Sequence, residues 1–127
     1  MISVPNDFSE LQSELKTKGY YLKDCFVKYP DHLHYFNAES LKNGLNELGF
    51  RLIDGITDFP IEWFIANSHS NYARAESLGK GAHNARIFLE TLINQKNKIL
   101  ALQFWRSLFE LGQGKSIAAV FEFQKTV

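Results

Sequence analysis

Two histidines stand two residues apart in the run Pro30-Asp31-His32-Leu33-His34-Tyr35-Phe36. On an extended segment side chains alternate with a period of two, so His32 and His34 point the same way. Histidine titrates near working pH, which suits His32 to a general-base or substrate-contact role. Asp31 can orient it, although an aspartate beside a proline is also ordinary turn chemistry. Two histidines begin a zinc site, but such a site takes three or four ligands, and no further His/Cys cluster stands nearby. His69 and His83 fall outside this run and read as surface residues. Cys25 is the single cysteine, so it forms no internal disulfide and sits in no metal-ligand spacing. Gly112-Gln113-Gly114-Lys115 looks superficially like a phosphate loop. It lacks the full spacing and leads into a strand instead of a helix N-terminus, so it reads as a helix stop. No nucleophile elbow, paired-cysteine site or dinucleotide fingerprint is present. The sequence thus holds no complete catalytic, metal or cofactor constellation, and it reads as one part of a larger enzyme.

The totals narrow the partners. A length of 127 residues suits one domain, 1–127, with a modest core. Hydrophobic residues at 45% and charged residues at 22% are those of a folded globular chain. Lys plus Arg and Asp plus Glu each number 14, for a net charge of zero, which argues against nucleic acid as a partner. No apolar run approaches the ~20 residues of a membrane span, and no signal segment opens the chain, so a cytoplasmic protein is expected. Eleven phenylalanines, five tyrosines and two tryptophans are a heavy aromatic load, destined for a core or an interface.

Positioning these residues falls to alternating helices and strands. Met1-Ile2-Ser3-Val4 reads as the end of a buried strand, with Pro5-Asn6-Asp7 as a turn. Asp7 and Glu10 have the spacing of a capping box, opening a helix with Phe8, Leu11 and Leu15 on one face and Gly19 as its stop. After an aromatic-rich connection over 20–36, Asn37 caps a helix carrying Leu41, Leu45 and Leu48, closed by Gly49. A strand from Phe50 to Ile56 or a little beyond follows. Pro60 suits the start of a third helix with Ile61, Trp63, Phe64 and Ile65. Gly79 and Gly81 are expected as breaks in the polar stretch after it. Two more helices span roughly 83–95 and 97–111, the second with Leu100, Phe104, Leu108 and Leu111 on one face. Ser116 to Phe123 is a strand. Helix, glycine, strand at this spacing is an α/β signature. Two full strands and a stub are few for about five helices, since a two-stranded sheet is marginal alone.

Taken together, Val4-Pro5-Asn6-Asp7-Phe8-Ser9, then Pro30-Asp31-His32-Leu33-His34-Tyr35-Phe36, then Ser40-Leu41 through Leu48-Gly49-Phe50 resemble the C-terminal part of class I S-adenosylmethionine-dependent methyltransferases. Asp58-Phe59-Pro60 and Gly114-Lys115-Ser116-Ile117 are similar to the same branch, and the resemblance covers nearly the whole chain. It implies a partial Rossmann-like sheet. Residues 1–4 would end strand five, 50–58 would be strand six, and 115–124 would be strand seven, antiparallel between the other two. The helices over 60–111 would form an insertion between the last two strands. It further implies His32 and Tyr35 as catalytic residues and Asn6, Asp7 and His34 as substrate contacts. The family holds its cofactor by a glycine-rich loop after strand one and an acidic residue ending strand two. No position here matches either, so S-adenosylmethionine is implied for a full-length relative and no cofactor for this chain.

Three expectations follow. The chain is the substrate-side portion of a methyltransferase, inactive alone, whose partner is the missing N-terminal half. Alternatively, it is a methyltransferase-like interaction module without cofactor, which self-associates as an oligomer through an exposed sheet edge and aromatic helices. A third reading is a small hydrolase or metal enzyme built on His32 and His34.

Overall fold

The computed structural model describes residues 1–24, 26–27 and 29–125; Cys25 lies outside them. It is an α/β fold in which five helices surround one three-stranded antiparallel sheet. The strands are β1 (Ile2–Pro5), β2 (Phe50–Thr57) and β3 (Ser116–Phe123), in the order β1-β3-β2. The last strand lies between the other two and runs antiparallel to both. Ile117 pairs with Val4 on one side and Thr57 on the other, and Ala119 with Ile2 and Gly55. Both residues are buried, and the period of two along β3 carries them into one core with Leu41 and Phe109. β1 is not a buried strand: only Ile2 and Val4 are partly covered, as befits an edge with a single neighbour. A bulge at Ile53 shifts the β2–β3 register.

The helices are α1 (Glu10–Thr17), α2 (Ala38–Glu47), α3 (Glu62–Ile65), α4 (Gly79–Lys96) and α5 (Lys98–Glu110), with a 3-10 turn at Glu76–Leu78. Asn37 caps α2 in a reciprocal box with Ser40, as its position before the leucine repeat predicts. At α1 the box sits two residues later than expected. Ser9 is the cap and Gln12 its partner, because Asp7 and Phe8 are held in the preceding turn. Phe8 therefore leaves the helix face. It is exposed, with φ +56, and packs edge-on against Phe26 and Tyr35.

Gly79 and Gly81 do not break the chain; both lie in α4. They occupy its first turn, where glycine costs less than in a helix interior, and packing of Leu89 and Ile93 against the core of Trp105 and Leu108 holds the rest of the helix. The buried face of α5 is also turned from the expected one. Ala101, Trp105, Leu108 and Phe109 are buried, while Leu100 and Leu111 are exposed. Two contacts set this rotation. The Trp105 indole donates to Asn94 Oδ1 at 2.7 Å. The Phe109 ring lies over Gly55, where any Cβ would meet it at 2.5 Å.

α4 is also tied to the end of β2. Glu90 accepts the Phe59 amide at 3.1 Å and pairs with Arg86 at 3.0 Å. Asp58 accepts the Ser116 amide at 2.7 Å, so the chain leaving β2 is fastened to the chain entering β3. None of the described helices is long and apolar enough to cross a membrane.

Candidate functional site

A cleft of about 540 Å³ opens where the turn after β1, the start of α1, the 20s and 30s connections and α3 converge with the start of β3. The turn that forms its floor is fixed from several sides. The Asn6 amide donates to Lys115 O at 2.9 Å and the Asp7 amide to Phe36 O at 2.7 Å. The Asn6 side chain is buried, and its Nδ2 donates to Gly112 O at 3.0 Å and Gly114 O at 2.9 Å. Asn6 thereby locks the loop between α5 and β3 against the end of β1.

Gln12 is the hub of the interior. Its Nε2 donates to Asn6 O at 3.0 Å and to Glu62 Oε1 at 2.8 Å, which uses both amide hydrogens. Its backbone carbonyl accepts the Tyr21 hydroxyl at 2.7 Å. Glu62 is only 3% exposed. Burial pushes its carboxyl above the ordinary 4.5, opposed by the Gln12 hydrogen bond, and Asp58 and Asp7 add to the rise. Asp7 is also raised by burial, partly offset by the positive charge His32 can carry. Among the described residues, Glu62 Oε2 and Asn6 Oδ1 are buried without a hydrogen-bond partner. Buried polar groups of this kind cost stability unless something satisfies them.

Asn6, Asp7 and His32 line this cleft. His34 and Tyr35 are not on its lining. His34 is exposed, and the Tyr35 hydroxyl donates to His32 O at 3.0 Å, bracing the 30s connection instead of facing the cavity. Neither Glu62 nor Gln12 is singled out by sequence analysis. The one local signal for Glu62 is its type: it is the single charged residue in Phe59-Pro60-Ile61-Glu62-Trp63-Phe64-Ile65. Among the described residues, no group of three or more His, Cys, Asp or Glu side chains stands close enough to hold a metal ion.

The Gly112–Lys115 loop turns carbonyls, not amides, towards the site. Its Gly112 and Gln113 N–H groups donate to Phe109 O and Leu108 O, at 3.0 and 2.9 Å. Those two amides serve to end the helix and are not offered to an anion.

Glu62 makes the stability of the fold depend on pH. The folded chain keeps a proton that the unfolded chain releases above about 4.5, so this contribution is complete below that value and is lost as pH rises through the raised one. Glu62→Gln should flatten that fall, making the variant the more stable protein at neutral pH by about 1–3 kcal/mol. Asp7 shifts in the same direction, so some slope should survive. Urea unfolding of both proteins at mildly acidic and neutral pH reads the effect, and parallel pH profiles would refute it.

Compared with protein-family models, curated proteins and solved structures, the chain matches none.

Proposed function

We propose that the chain supplies the acceptor-binding side of a class I S-adenosylmethionine-dependent methyltransferase and is inactive alone. The observation that carries this reading is the cleft itself. Asn6 and Asp7 from one resembling motif and His32 from another, 25 or more residues away, line a single cavity with the buried Glu62. The strand order supports it too: the resemblance implies strand seven antiparallel between strands five and six, and β3 lies in that way between β1 and β2. The helices between β2 and β3 correspond to the implied insertion over 60–111.

Methyl transfer asks mainly for alignment of a nucleophile with the donor, and for a place to put its proton. The chain's contribution is the second part and half of the first. The cleft orients the acceptor, its aromatic wall excludes water, and a carboxyl with raised proton affinity at Asp7 or Glu62 takes the proton that the acceptor sheds. The residues present do not fit the cofactor, because the Gly112 and Gln113 amides are already used to end a helix and no position matches the family's cofactor motifs. No cofactor step is assigned to this chain.

The test is complementation. The purified chain should give no heat when titrated with S-adenosylmethionine. Fused to, or mixed with, a methyltransferase N-terminal half carrying the glycine-rich loop and the acidic residue, it should form a complex that binds the cofactor. Micromolar binding by the chain alone would overturn the assignment of roles. Failure of every such half encoded beside this gene to bind the chain would overturn the reading.

A second reading has its own observation. Phe88 on α4 and Ile99 and Leu100 on α5 are 66%, 72% and 61% exposed, an apolar surface suited to a self-associating module without cofactor. Light scattering after size exclusion distinguishes the two: a monodisperse oligomer that no N-terminal half dissociates favours the module.

A further inference from the structure

The interior of the cleft is rich in acceptors and poor in donors. Glu62 Oε2 and Asn6 Oδ1 are buried with no partner among the described residues, and the Asp7 carboxyl stands beside them on the lining. The Gln12 amide has no hydrogen left to give, since Asn6 O and Glu62 Oε1 take both. The Tyr21 hydroxyl donates its hydrogen to Gln12 O. Other donors on the lining are the Tyr72 and Ser116 hydroxyls, on partly covered residues, and His32 and Lys115, on exposed ones. A ligand that satisfies the two unpartnered oxygens must bring hydrogens.

We infer that the cleft takes a cationic amine, with its ammonium set among Glu62, Asp7 and the Asn6 side-chain carbonyl and its body against Tyr21, Phe26 and Tyr72. An ammonium carries up to three N–H donors and no acceptor, the complement of this interior. Charge-assisted bonds to carboxylates are about twice as strong as neutral ones. The aromatic lining offers apolar surface to the body of such a ligand. An anionic ligand meets the opposite: two carboxyls inside, with Lys115 and His32 to welcome it only at the rim. As a statement about the cleft, this stands on geometry. As a statement that the methyl acceptor is an amine, it rests on the methyltransferase reading.

Amine binding also has a protonic signature. Asp58 and Asp7 face Glu62 and favour its protonated form, and burial acts in the same sense. An ammonium placed beside it reverses this balance, so binding at mildly acidic pH expels a proton into solution.

Benzylamine, benzyl alcohol and benzoate form a probe set of like size and different charge. Each is titrated calorimetrically into the full chain in two buffers of different ionisation enthalpy, with the same titrations on Glu62→Gln. The expected result is benzylamine at least about tenfold tighter than either neutral or anionic probe, with proton release. In Glu62→Gln, which keeps the hydrogen bond from Gln12, that preference and the proton release should both collapse while benzyl alcohol binding is retained. Benzyl alcohol or benzoate binding as well as benzylamine, or no probe binding at all, overturns the inference. So does a preference unchanged by Glu62→Gln. A positive result here with failed complementation would leave an amine-binding module standing and remove the methyltransferase, so the two failures are distinct.

Discussion

Gly114→Ala should cost the fold about 4 kcal/mol, a large share of the roughly 5–15 kcal/mol by which ordinary domains are stable. Gly114 is buried between α5 and β3 with φ +109, a conformation that L side chains rarely adopt. Holding alanine there costs on the order of 1–3 kcal/mol before any contact is counted. The added Cβ would lie 2.3 Å from Thr57 Cβ and 2.9 Å from Asp58 O. The second of these is backbone, and it belongs to the residue whose carboxylate holds the Ser116 amide, so it cannot yield without loosening the β2–β3 junction. Overpacking of this sort adds roughly 1–3 kcal/mol. Gly112→Ala is the internal control. It shares the positive φ, at +70, but its Cβ would meet nothing within 4 Å, so a loss of about 1 kcal/mol is expected. Urea unfolding of the two variants separates strain from crowding. Equal losses would mean that the Thr57 contact relaxes freely.

Both glycines stand in a stretch that is easy to read as a helix stop, and much of the fold is legible for the same local reasons. The leucine repeat after Asn37 marks α2, and glycine followed by an apolar run marks β2. Ser116 to Phe123 has the composition of a strand and is one, end for end. Such signals are carried by neighbours in sequence. The face of α5 is not, because one of the two contacts that set it comes from Gly55, about 50 residues earlier, which admits the Phe109 ring. The cleft is less legible still. Gln12 and Glu62 meet across 50 residues, and neither flank announces the other. Glu62 is a lone charge in an apolar helix, a pattern that an exposed face would also produce. Asp7 has the spacing of a helix cap with Glu10, and only the turn that buries it shows why Ser9 does that work instead. Asn6, Asp7 and His32 share the cleft, while His34 and Tyr35, read from the same motif, face elsewhere. A two-residue spacing predicts common direction only if the segment is extended, and the 30s connection is described without a strand.

Asn6→Asp should be the most damaging change at the site, about 4–5 kcal/mol at neutral pH, although it alters one atom type. The Asn6 Nδ2 donates to Gly112 O and Gly114 O at 3.0 and 2.9 Å from a position 1% exposed. A carboxylate there would set an oxygen against two carbonyl oxygens and bury a charge with Glu62 and Asp7 already near. Asn6→Ala removes the same donors without adding charge, so about 2–3 kcal/mol is expected from the carbonyls left unpaired. The difference between the two isolates the cost of the charge, and its pH dependence has a definite sign. Burial raises the proton affinity of the introduced carboxyl in the folded state, so its stability deficit should shrink as pH falls and the protonated group can again donate to one carbonyl. Denaturant unfolding at neutral and mildly acidic pH measures all of this. If Asn6→Asp lies within about 1 kcal/mol of the parent at neutral pH, the loop between α5 and β3 is not held by this side chain. Asn6 would then be free to act as a ligand contact alone. If the loss is as expected, Asn6 serves the cleft chiefly by holding Lys115 and Ser116 at its wall, with Oδ1 the atom left to meet a ligand.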